Sequence, residues 1–438
     1  MLPLFNKELK DIFFGKPFLL ALLLVILLSG HSYIQAILLY SQASVAALEH
    51  AELAKGITPL DGIFVPVFGA LYLISTFALP FIAIRSISAE KESGSIKILL
   101  QLPYSLDGIV WSKFFAVLCA WLMLSVPPFL SIALWLGDGG HVGLFEMSNL
   151  LLGHMLYAVL IIAIAFLAAA FSGNSASAAI VTLGMTLVFW ALDYSAGNSD
   201  GLLRDLSVYS PTAILRGFER GGFLASSVWF AVGATVVLIS TTASWLHTGF
   251  SLQTRVYRTV PILSVVLVLV WLGSLSSFYV DVTEDRRNSF AKSIENGLKK
   301  FKEPLVVTVN LSVDDPRYYD LKRSILDKLS FVLDDMVVVI AANAKGDDYG
   351  IVKYRYGMIE QTSRSTSQEE VLPMLFEMTG VSLGSGSEDD NYSGYPLVVK
   401  GKKAEFVFYI LLPLLVVALY GRRVYKKRVF KNALKEQR

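Results

Sequence analysis

Eight long apolar stretches are the sequence feature that most limits what this chain can fold into. They cover residues 18–39, 63–84, 114–136, 150–171, 178–195, 228–246, 259–278 and 405–420. A helix of about 20 apolar residues crosses the hydrocarbon core of a bilayer, and few charges interrupt these stretches. The sequence therefore predicts a polytopic α-helical membrane protein with about eight transmembrane helices.

Charged side chains are unevenly distributed along the chain. Hydrophobic residues make up 54% of the sequence and charged residues only 17%, which excludes an intrinsically disordered protein. The formal net charge is +2, so no overall positive field attracts nucleic acid. Half of the charges fall in residues 279–403, which hold 20 acidic and 17 basic side chains. We therefore predict one water-soluble domain between the seventh and eighth spans.

Lysine and arginine in the short flanking segments predict the orientation of the chain. Basic residues collect in the tail at 421–438 and in the first 17 residues. Short cytoplasmic loops are enriched in these residues, so we expect both termini in the cytoplasm. Eight spans then put the loops at 85–113 and 247–258 on the cytoplasmic side, and the 279–403 domain outside it.

Residues 1–17 precede the first apolar stretch and have the pattern of an amphipathic helix. Apolar residues recur there at helical spacing: Leu4, Phe5, Leu9, Ile12 and Phe13. Because polar residues separate them, such a helix would lie in the membrane interface. The sequence leaves a frayed cytoplasmic tail open as the alternative.

The loop at 85–113 contains the most specific motif. Two acidic residues precede a glycine, an apolar helix face follows, a proline ends it, and a lysine comes ten residues later. The candidate coupling residues are Glu90, Glu92, Gly94, Ile96, Leu99, Leu100, Pro103 and Lys113. A short apolar helix fronted by acidic residues suits a groove on a cytoplasmic partner. Taken alone, the pattern also fits a solvated connector.

This motif resembles the coupling loop of ABC-2-type transporter permeases, whose pattern is E-x-E-x-G-x-(I/L)-x-x-L-L-x-x-P with a lysine further on. The candidate residues match the pattern position by position, with isoleucine instead of the commoner leucine at position 96 and serine instead of threonine at 95. In that family the loop docks onto a cytoplasmic ATPase. The resemblance implies that residues 85–113 couple this chain to such an ATPase.

The resemblance extends over residues 1–250. The family has a six-span core, here residues 18–250, and a second short cytoplasmic contact between spans four and five, here residues 172–177. It also has a serine-proline, a short helix and an arginine-glycine before span six, which correspond to residues 210–211 and 220–221. An ordinary helix-entry turn is an equally good explanation of the serine-proline pair.

Membership of that family would imply several partners. Two cytoplasmic ATPases would bind two permease chains, which form a homodimer or pair with a close paralogue. ATP and Mg²⁺ would be held by the ATPase, so we expect no cofactor, metal or catalytic residue in this chain. The expected location is the bacterial cytoplasmic membrane, with membrane lipids as neighbours and no nucleic-acid partner.

The region at 279–403 has the pattern of a small α/β domain. Residues 305–311 alternate as a strand, residues 316–333 have helical apolar spacing, and residues 336–342 form a continuous apolar strand. This order predicts a βαβ unit and hence a parallel sheet. The domain is followed by the eighth span and the basic tail at 421–438.

The start of this domain resembles the periplasmic domain of Gld-type proteins, which are partners of gliding-motility-class ABC permeases. The resemblance is carried by Asp281-Val-Thr-Glu-Asp-Arg286 and by the strand at 303–312. This domain is much shorter, which implies a permease fused to a shortened Gld-type domain. An envelope partner for it is a further expectation.

Three ionisable residues fall within the predicted spans, namely His31, His154 and Asp193. Such residues call for a functional hypothesis, here an exit cavity or a proton path. The alternative is neutral histidines hydrogen-bonded between helices and an aspartate near the interface.

Three classes of function fit the sequence. The first is the permease subunit of an ABC-2-type transporter, by family an exporter. The second is a transmission protein that moves no substrate and relays ATP hydrolysis to an envelope partner through the 279–403 domain. The third is a membrane enzyme or receptor that works without an ATPase.

Overall fold

The computed structural model describes residues 2–95, 104–196, 206–247, 249–274, 278–312, 315–333, 335–341, 348–381 and 392–436. Eight helices in these ranges are long and apolar enough to cross a membrane. We number them spans one to eight: Lys16–Glu49, Leu60–Glu92, Leu106–Gly137, Leu144–Phe171, Ser175–Tyr194, Ala225–Leu246, Leu252–Gly273 and Lys402–Arg423. The predicted polytopic helical fold is confirmed, with one helix for each predicted stretch; the seventh helix begins earlier than the predicted 259–278 and ends at Ser274.

Two spans contain a local break, and proline explains both. Span two is interrupted at Ala78, two residues before Pro80, and span three at Ser125, just before Pro127 and Pro128. Proline lacks the backbone N–H that the next helical turn needs. The hydroxyl of Ser125 donates to the carbonyl of Leu122 at 2.7 Å, so a side chain satisfies one of the backbone groups near the break.

Shorter helices flank the spans. The predicted N-terminal helix is Leu2–Phe13, which buries one face through Leu4, Glu8 and Ile12. The remaining helices outside the spans are Ala51–Ala54, Pro211–Glu219, Lys292–Leu298, the continuous run Pro316–Val332 and Gln368–Thr379. Span five continues to Ala196, span seven to Ser274 and span eight to Glu436.

Span four is the centre of the helix bundle. In its most apolar 18-residue stretch, 72% of the residues are buried. It packs against spans two, three, five and six and against Pro211–Glu219. Spans seven and eight are peripheral, because only 11% and 17% of the residues in the corresponding stretches are buried. Span seven packs on span six and span eight on span one. The first six spans therefore supply most of the bundle core.

The six described strands form two sheets. Strands β1 (Gly222–Leu224) and β2 (Tyr279–Asp281) pair antiparallel, which joins the entry to span six to the segment after span seven. Strands β3 (Leu305–Val309), β4 (Met336–Ile340), β5 (Val352–Tyr356) and β6 (Ile359–Ser363) form a four-stranded sheet in the order β4-β3-β5-β6.

The predicted βαβ unit is present, but the predicted parallel sheet is wrong. Strands β3 and β4 are parallel and joined by the helical run Pro316–Val332, whereas β5 pairs antiparallel with β3, and β6 with β5. The β5–β6 hairpin turns at Gly357, whose φ is +57°. Alternating Val352, Tyr354 and Tyr356 before that glycine were a readable hairpin signal that the prediction missed. The fold class, a small α/β domain on a helical membrane protein, is confirmed.

The α/β domain has a hydrophobic core separate from that of the bundle. Leu305, Val307 and Val309 on one face of β3 pack against Leu321 and Leu329 of the crossover helices. Helix Gln368–Thr379 completes this layer with side chains such as Leu375 and Phe376. Because this part of the chain folds around its own apolar residues, its outer surface can carry the charged residues that concentrate at 279–403.

Candidate functional site

The motif glycine terminates span two. The helix ends at Glu92, and Gly94 adopts a φ of +72°, with its N–H donating to the carbonyl of Lys91 at 3.1 Å. This left-handed position favours glycine because a side chain there is strained. Among the described residues, no atom lies within 4 Å of the position of a Cβ at Gly94, so its backbone conformation explains the glycine.

Lys113 of the motif is buried in an ion-pair network. Its side chain is 3% exposed, and its Nζ lies 2.9 Å from Glu90 Oε1 and 2.9 Å from Glu8 Oε1. It also donates to the backbone carbonyl of Ser86 at 3.0 Å. One ammonium therefore ties the N-terminal helix, the end of span two and the start of span three together.

A second lysine extends this network to the surface. Lys7 Nζ lies 3.7 Å from Glu90 Oε1 and 3.5 Å from Glu8 Oε1. Burial opposes the charge of Lys7, but the carboxylates of Glu8 and Glu90 outweigh it and raise the pKa of Lys7 above its ordinary value. A cavity of about 670 Å³ opens beside this network, between the N-terminal helix and span two.

Lys91 caps the end of span four. Its Nζ donates to the carbonyls of Ala169, Ala170 and Ser172 at 2.9, 2.8 and 2.7 Å. The last carbonyls of a helix have no partners within the helix, and a cation there also interacts favourably with the helix dipole. The end of span two is thereby fixed to the end of span four.

Glu92 binds the start of span five. Its Oε1 accepts hydrogen bonds from the backbone N–H and the hydroxyl of Ser175, both at 2.7 Å. A carboxylate at a helix N-terminus satisfies a free N–H and interacts favourably with the dipole. Together, Lys91 and Glu92 hold both sides of the short turn between spans four and five, which contains the predicted second contact at 172–177.

The structure brings together four of the eight predicted coupling residues: Glu90, Glu92, Gly94 and Lys113. The other four, Ile96, Leu99, Leu100 and Pro103, lie outside the described residues. The sequence prediction missed the roles of Glu8, Lys91 and Ser175. For Lys91 the signal was a lysine placed between the two motif carboxylates, and for Glu8 an acidic residue within an otherwise amphipathic helix.

At the opposite end of the bundle, the 279–403 domain contacts the bundle through a loop. We call residues 281–289 the junction loop. Arg287 forms an ion pair with Asp61, and its guanidinium donates to the Thr58 hydroxyl at 2.9 Å. Burial would lower the pKa of Arg287, but the hydrogen bond to Asp285 and the charge of Asp61 raise it.

The junction loop also contacts the linker between spans three and four. The backbone N–H of Glu284 donates to Glu146 Oε1 at 2.8 Å, and the carboxylate of Glu284 lies 2.8 Å from His141 Nε2. The His141 ring stacks on Tyr395, with ring centroids 3.7 Å apart. This end of the bundle is therefore connected to the chain segments that precede and follow the α/β domain in the sequence.

Residues 392–401 lead from the α/β domain to span eight, and we call them the return segment. This segment is bound to span one. Tyr40 donates to the carbonyl of Tyr395 at 2.7 Å. The backbone N–H groups of Leu397 and Val399 donate to the hydroxyls of Ser44 and Ser41 at 2.9 and 3.0 Å. The return segment therefore belongs structurally to the bundle and less to the α/β domain.

Each of the three ionisable residues predicted within the spans has a partner. His31 Nδ1 lies 3.3 Å from the Tyr409 hydroxyl, and Asp193 forms an ion pair with Arg216. His154 Nε2 lies 3.4 Å from Glu219 Oε1, and the histidine is 1% exposed. These contacts join helices within the bundle. The hydrogen bond of His31 agrees with the structural alternative, whereas neither ring nitrogen of the buried His154 has a hydrogen-bond partner among the described residues. A proton path stays an untested hypothesis.

A comparison with known families addresses the part of the chain that carries the motif. Residues 2–201 match the family model described as ABC-2 family transporter protein. The match includes the N-terminal helix, Glu90, Lys113 and the turn at 172–177, and it supports an ABC-2-type permease. It covers just under half of the chain and ends before the α/β domain, so the Gld-type class of that domain stays a prediction. No curated protein matches the chain.

Proposed function

We propose that this chain is the membrane permease subunit of an ABC-2-type transporter, driven by a separate cytoplasmic ATPase that binds the 85–113 loop. The observation that carries the proposal is the clamp formed by Lys91 and Glu92. Because these neighbours hold the ends of spans four and five, a force on the loop at 85–113 reaches the central helix of the bundle directly.

The ion-pair network gives the same loop a second rigid connection. Lys113 joins Glu90 to Glu8, so the N-terminal helix moves together with the end of span two. In this proposal, ATP-driven closure of two ATPases rocks two permease chains against each other. Export is the direction that the family resemblance favours, with both termini in the cytoplasm of a bacterial cell.

A second candidate function is supported by the other end of the bundle. The junction loop and the return segment connect the 279–403 domain to residues of spans one, two and four. Movement of the spans would therefore displace the external domain, as a mechanotransmission subunit acting on an envelope partner requires. Stimulation of ATPase activity by a transported substrate in liposomes would favour transport over transmission.

The first test concerns orientation. Cys119 is the only cysteine in the chain, so a Cys119→Ser background allows site-specific labelling. We expect Ser365→Cys to react with a membrane-impermeant maleimide in intact cells, whereas Ser95→Cys and Asn432→Cys react only after permeabilisation. The readout is the labelled fraction before and after permeabilisation, and labelling of Asn432→Cys in intact cells would contradict the topology.

The second test concerns coupling. Glu92→Ala removes the two hydrogen bonds to Ser175, so we expect co-purification of the partner ATPase, or its stimulated hydrolysis, to fall by about tenfold. Ser175→Ala retains the backbone hydrogen bond and should have a smaller effect in the same direction. Glu49→Ala serves as the control, because Glu49 ends span one at the opposite side of the bundle from Glu92. Normal coupling in Glu92→Ala would remove the main support for the clamp.

A further inference from the structure

A cavity of about 360 Å³ lies in the α/β domain, between strand β2, the junction loop and two helices. It is lined by four cationic and two acidic side chains: Arg286, Lys292, Lys299, Lys328, Asp281 and Glu295. The domain as a whole is acidic, with 20 acidic and 17 basic residues at 279–403. Positive charge is therefore concentrated in the cavity against the overall charge of the domain.

The most buried of these cations is held by neutral groups. Lys328 is 6% exposed, and its Nζ donates to the backbone carbonyls of Ser289 at 3.0 Å and Arg286 at 3.3 Å. Its ammonium also lies 5.6 Å from the ring centre of Phe290. Among the described residues it has no carboxylate in ion-pair contact. The carboxylates of Asp281 and Asp285 act on this ammonium only from beyond ion-pair distance. A buried cation without a direct ion-pair partner favours an anion nearby.

Asp281, the first residue of the junction loop, is hydrogen-bonded within that loop. Asp281 Oδ1 accepts from the N–H and hydroxyl of Thr283 at 3.0 and 2.6 Å, and Oδ2 accepts from the N–H of Asn288 at 3.0 Å. Lys292 and Lys299 are exposed at the rim and form no ion pair within the described part of the chain. The cavity therefore offers donors, while its nearest carboxylate is already hydrogen-bonded.

The junction loop holds Arg286 in an unusual conformation. Arg286 has a φ of +48°, the only positive φ of a non-glycine residue among those described. A left-handed backbone at a residue with a side chain is strained and is retained where surrounding contacts impose it. Its own N–H donates to the carbonyl of Thr283 at 3.3 Å, and its carbonyl accepts from the N–H of Ser289 at 3.2 Å. These turn contacts hold the backbone of Arg286, which lies in the wall of the cavity.

The cavity lies next to the point where the chain leaves the membrane. Span seven ends at Gly273, and β2, which forms one wall, begins at Tyr279. Phe331, another wall residue, stacks on Tyr279 with ring centroids 3.8 Å apart, and Phe278 is exposed. Aromatic side chains beside the end of a span are typical of the headgroup region of a bilayer.

We propose that this cavity binds a phosphate group, presented either by the headgroup of an anionic phospholipid or by a soluble phosphate ester. The ammonium groups of Lys292, Lys299 and Lys328 supply the charge-assisted donors that a phosphate oxygen accepts, and Arg286 in the wall adds positive charge. The volume admits a phosphate with its glycerol, and Tyr279 in the wall follows the end of span seven by six residues. The site lies outside the proposed coupling machinery and does not depend on it.

The test uses the full-length protein and two matched double variants. Lys292→Gln with Lys299→Gln removes two rim cations, whereas Lys300→Gln with Lys302→Gln removes two charges from the same segment outside the cavity. One experiment titrates detergent-solubilised protein with inorganic phosphate and with glycerol 3-phosphate and follows the unfolding temperature. The other compares nanodiscs of phosphatidylcholine alone with nanodiscs containing phosphatidylglycerol.

We expect the rim variant to raise the half-saturating concentration of the effective anion by about tenfold, and the control variant to leave it unchanged. Stabilisation by phosphatidylglycerol that the rim variant alone loses identifies a lipid headgroup as the source. Stabilisation by soluble phosphate compounds, with no difference between the nanodiscs, identifies a soluble ester. Equal behaviour of the two variants towards every anion would overturn the proposal.

Discussion

Lys113→Met should produce the largest loss of stability of any single substitution at the end of the bundle that carries the motif. The substitution leaves the carboxylates of Glu8 and Glu90 with only the more distant and half-exposed Lys7 as a cation. Both carboxylates are largely shielded from water, at 6% and 15% exposure. Removing one partner of a buried pair costs about 3–5 kcal/mol, since it leaves an uncompensated charge. We expect the unfolding temperature to fall by roughly 6–10 °C.

Two companion variants show whether the lost charge causes this effect. Lys10→Met removes an exposed lysine of the N-terminal helix and should leave the unfolding temperature nearly unchanged. Adding Glu8→Gln and Glu90→Gln to Lys113→Met neutralises the two orphaned carboxylates and should restore a large part of the stability. The network has no such role if Lys113→Met is as stable as Lys10→Met, or if the triple variant is less stable than Lys113→Met.

The same variants separate stability from coupling. If the network only supports the fold, the triple variant should recover ATPase stimulation together with stability. If it also transmits force between the N-terminal helix and span two, the triple variant should be stable but poorly stimulated. Measuring hydrolysis and unfolding temperature on the same preparations distinguishes the two roles.

The spans were predictable because the bilayer imposes one simple rule on sequence. A helix must be apolar for about 20 residues to cross, and that pattern is visible without any knowledge of packing. The helices run beyond the predicted stretches: span two, for example, was expected at 63–84 and extends over Leu60–Glu92. The additional turns carry the polar residues of the motif, which lower the local hydropathy and hide the helix ends.

The motif identified the important residues, but not what they contact. The position of Gly94 after a helix is readable from local backbone preference. By contrast, the partners of Lys113 and Glu92 are Glu8 and Ser175, which are distant in sequence. A single sequence contains no information on which helix ends meet, so these contacts could not be predicted.

The arrangement of spans seven and eight was also beyond prediction. Both carry the same apolar signal as the core helices, yet span seven packs on span six and span eight on span one. Predicting a water-soluble domain between them overlooked the junction loop and the return segment. Polar residues such as Asp281 and Arg287 read as solvent-exposed in the sequence, whereas in the structure Asp281 holds the junction loop together and Arg287 binds the bundle.

The contacts at the junction loop predict opposite outcomes for two excisions of the external domain. Replacing residues 285–400 with a flexible linker removes Arg287 and the return segment together, and leaves Asp61, Ser41 and Ser44 without their partners. Each lost hydrogen bond costs about 1 kcal/mol and more where a charge is involved. We expect this excision to destabilise the six-span core and to impair its association with the ATPase.

Replacing residues 291–391 instead keeps the junction loop and the return segment and removes only the separately folded α/β domain. Tyr392 and the junction loop line the same cavity, so the two ends of the excision lie close together. A Gly/Ser linker of about 12 residues reaches roughly 20 Å, which is sufficient to join them. This variant should stay monodisperse, with basal ATPase activity near that of the intact complex.

The pair of excisions also decides between the two proposed functions. If the chain transports a substrate through its spans, the variant lacking 291–391 should retain substrate-stimulated hydrolysis in liposomes. If it relays force to an envelope partner, that variant should hydrolyse ATP normally while its cells show the phenotype of a complete deletion. Equal damage from both excisions, measured by unfolding temperature and by size-exclusion chromatography, would show that the α/β domain is itself required for assembly of the bundle.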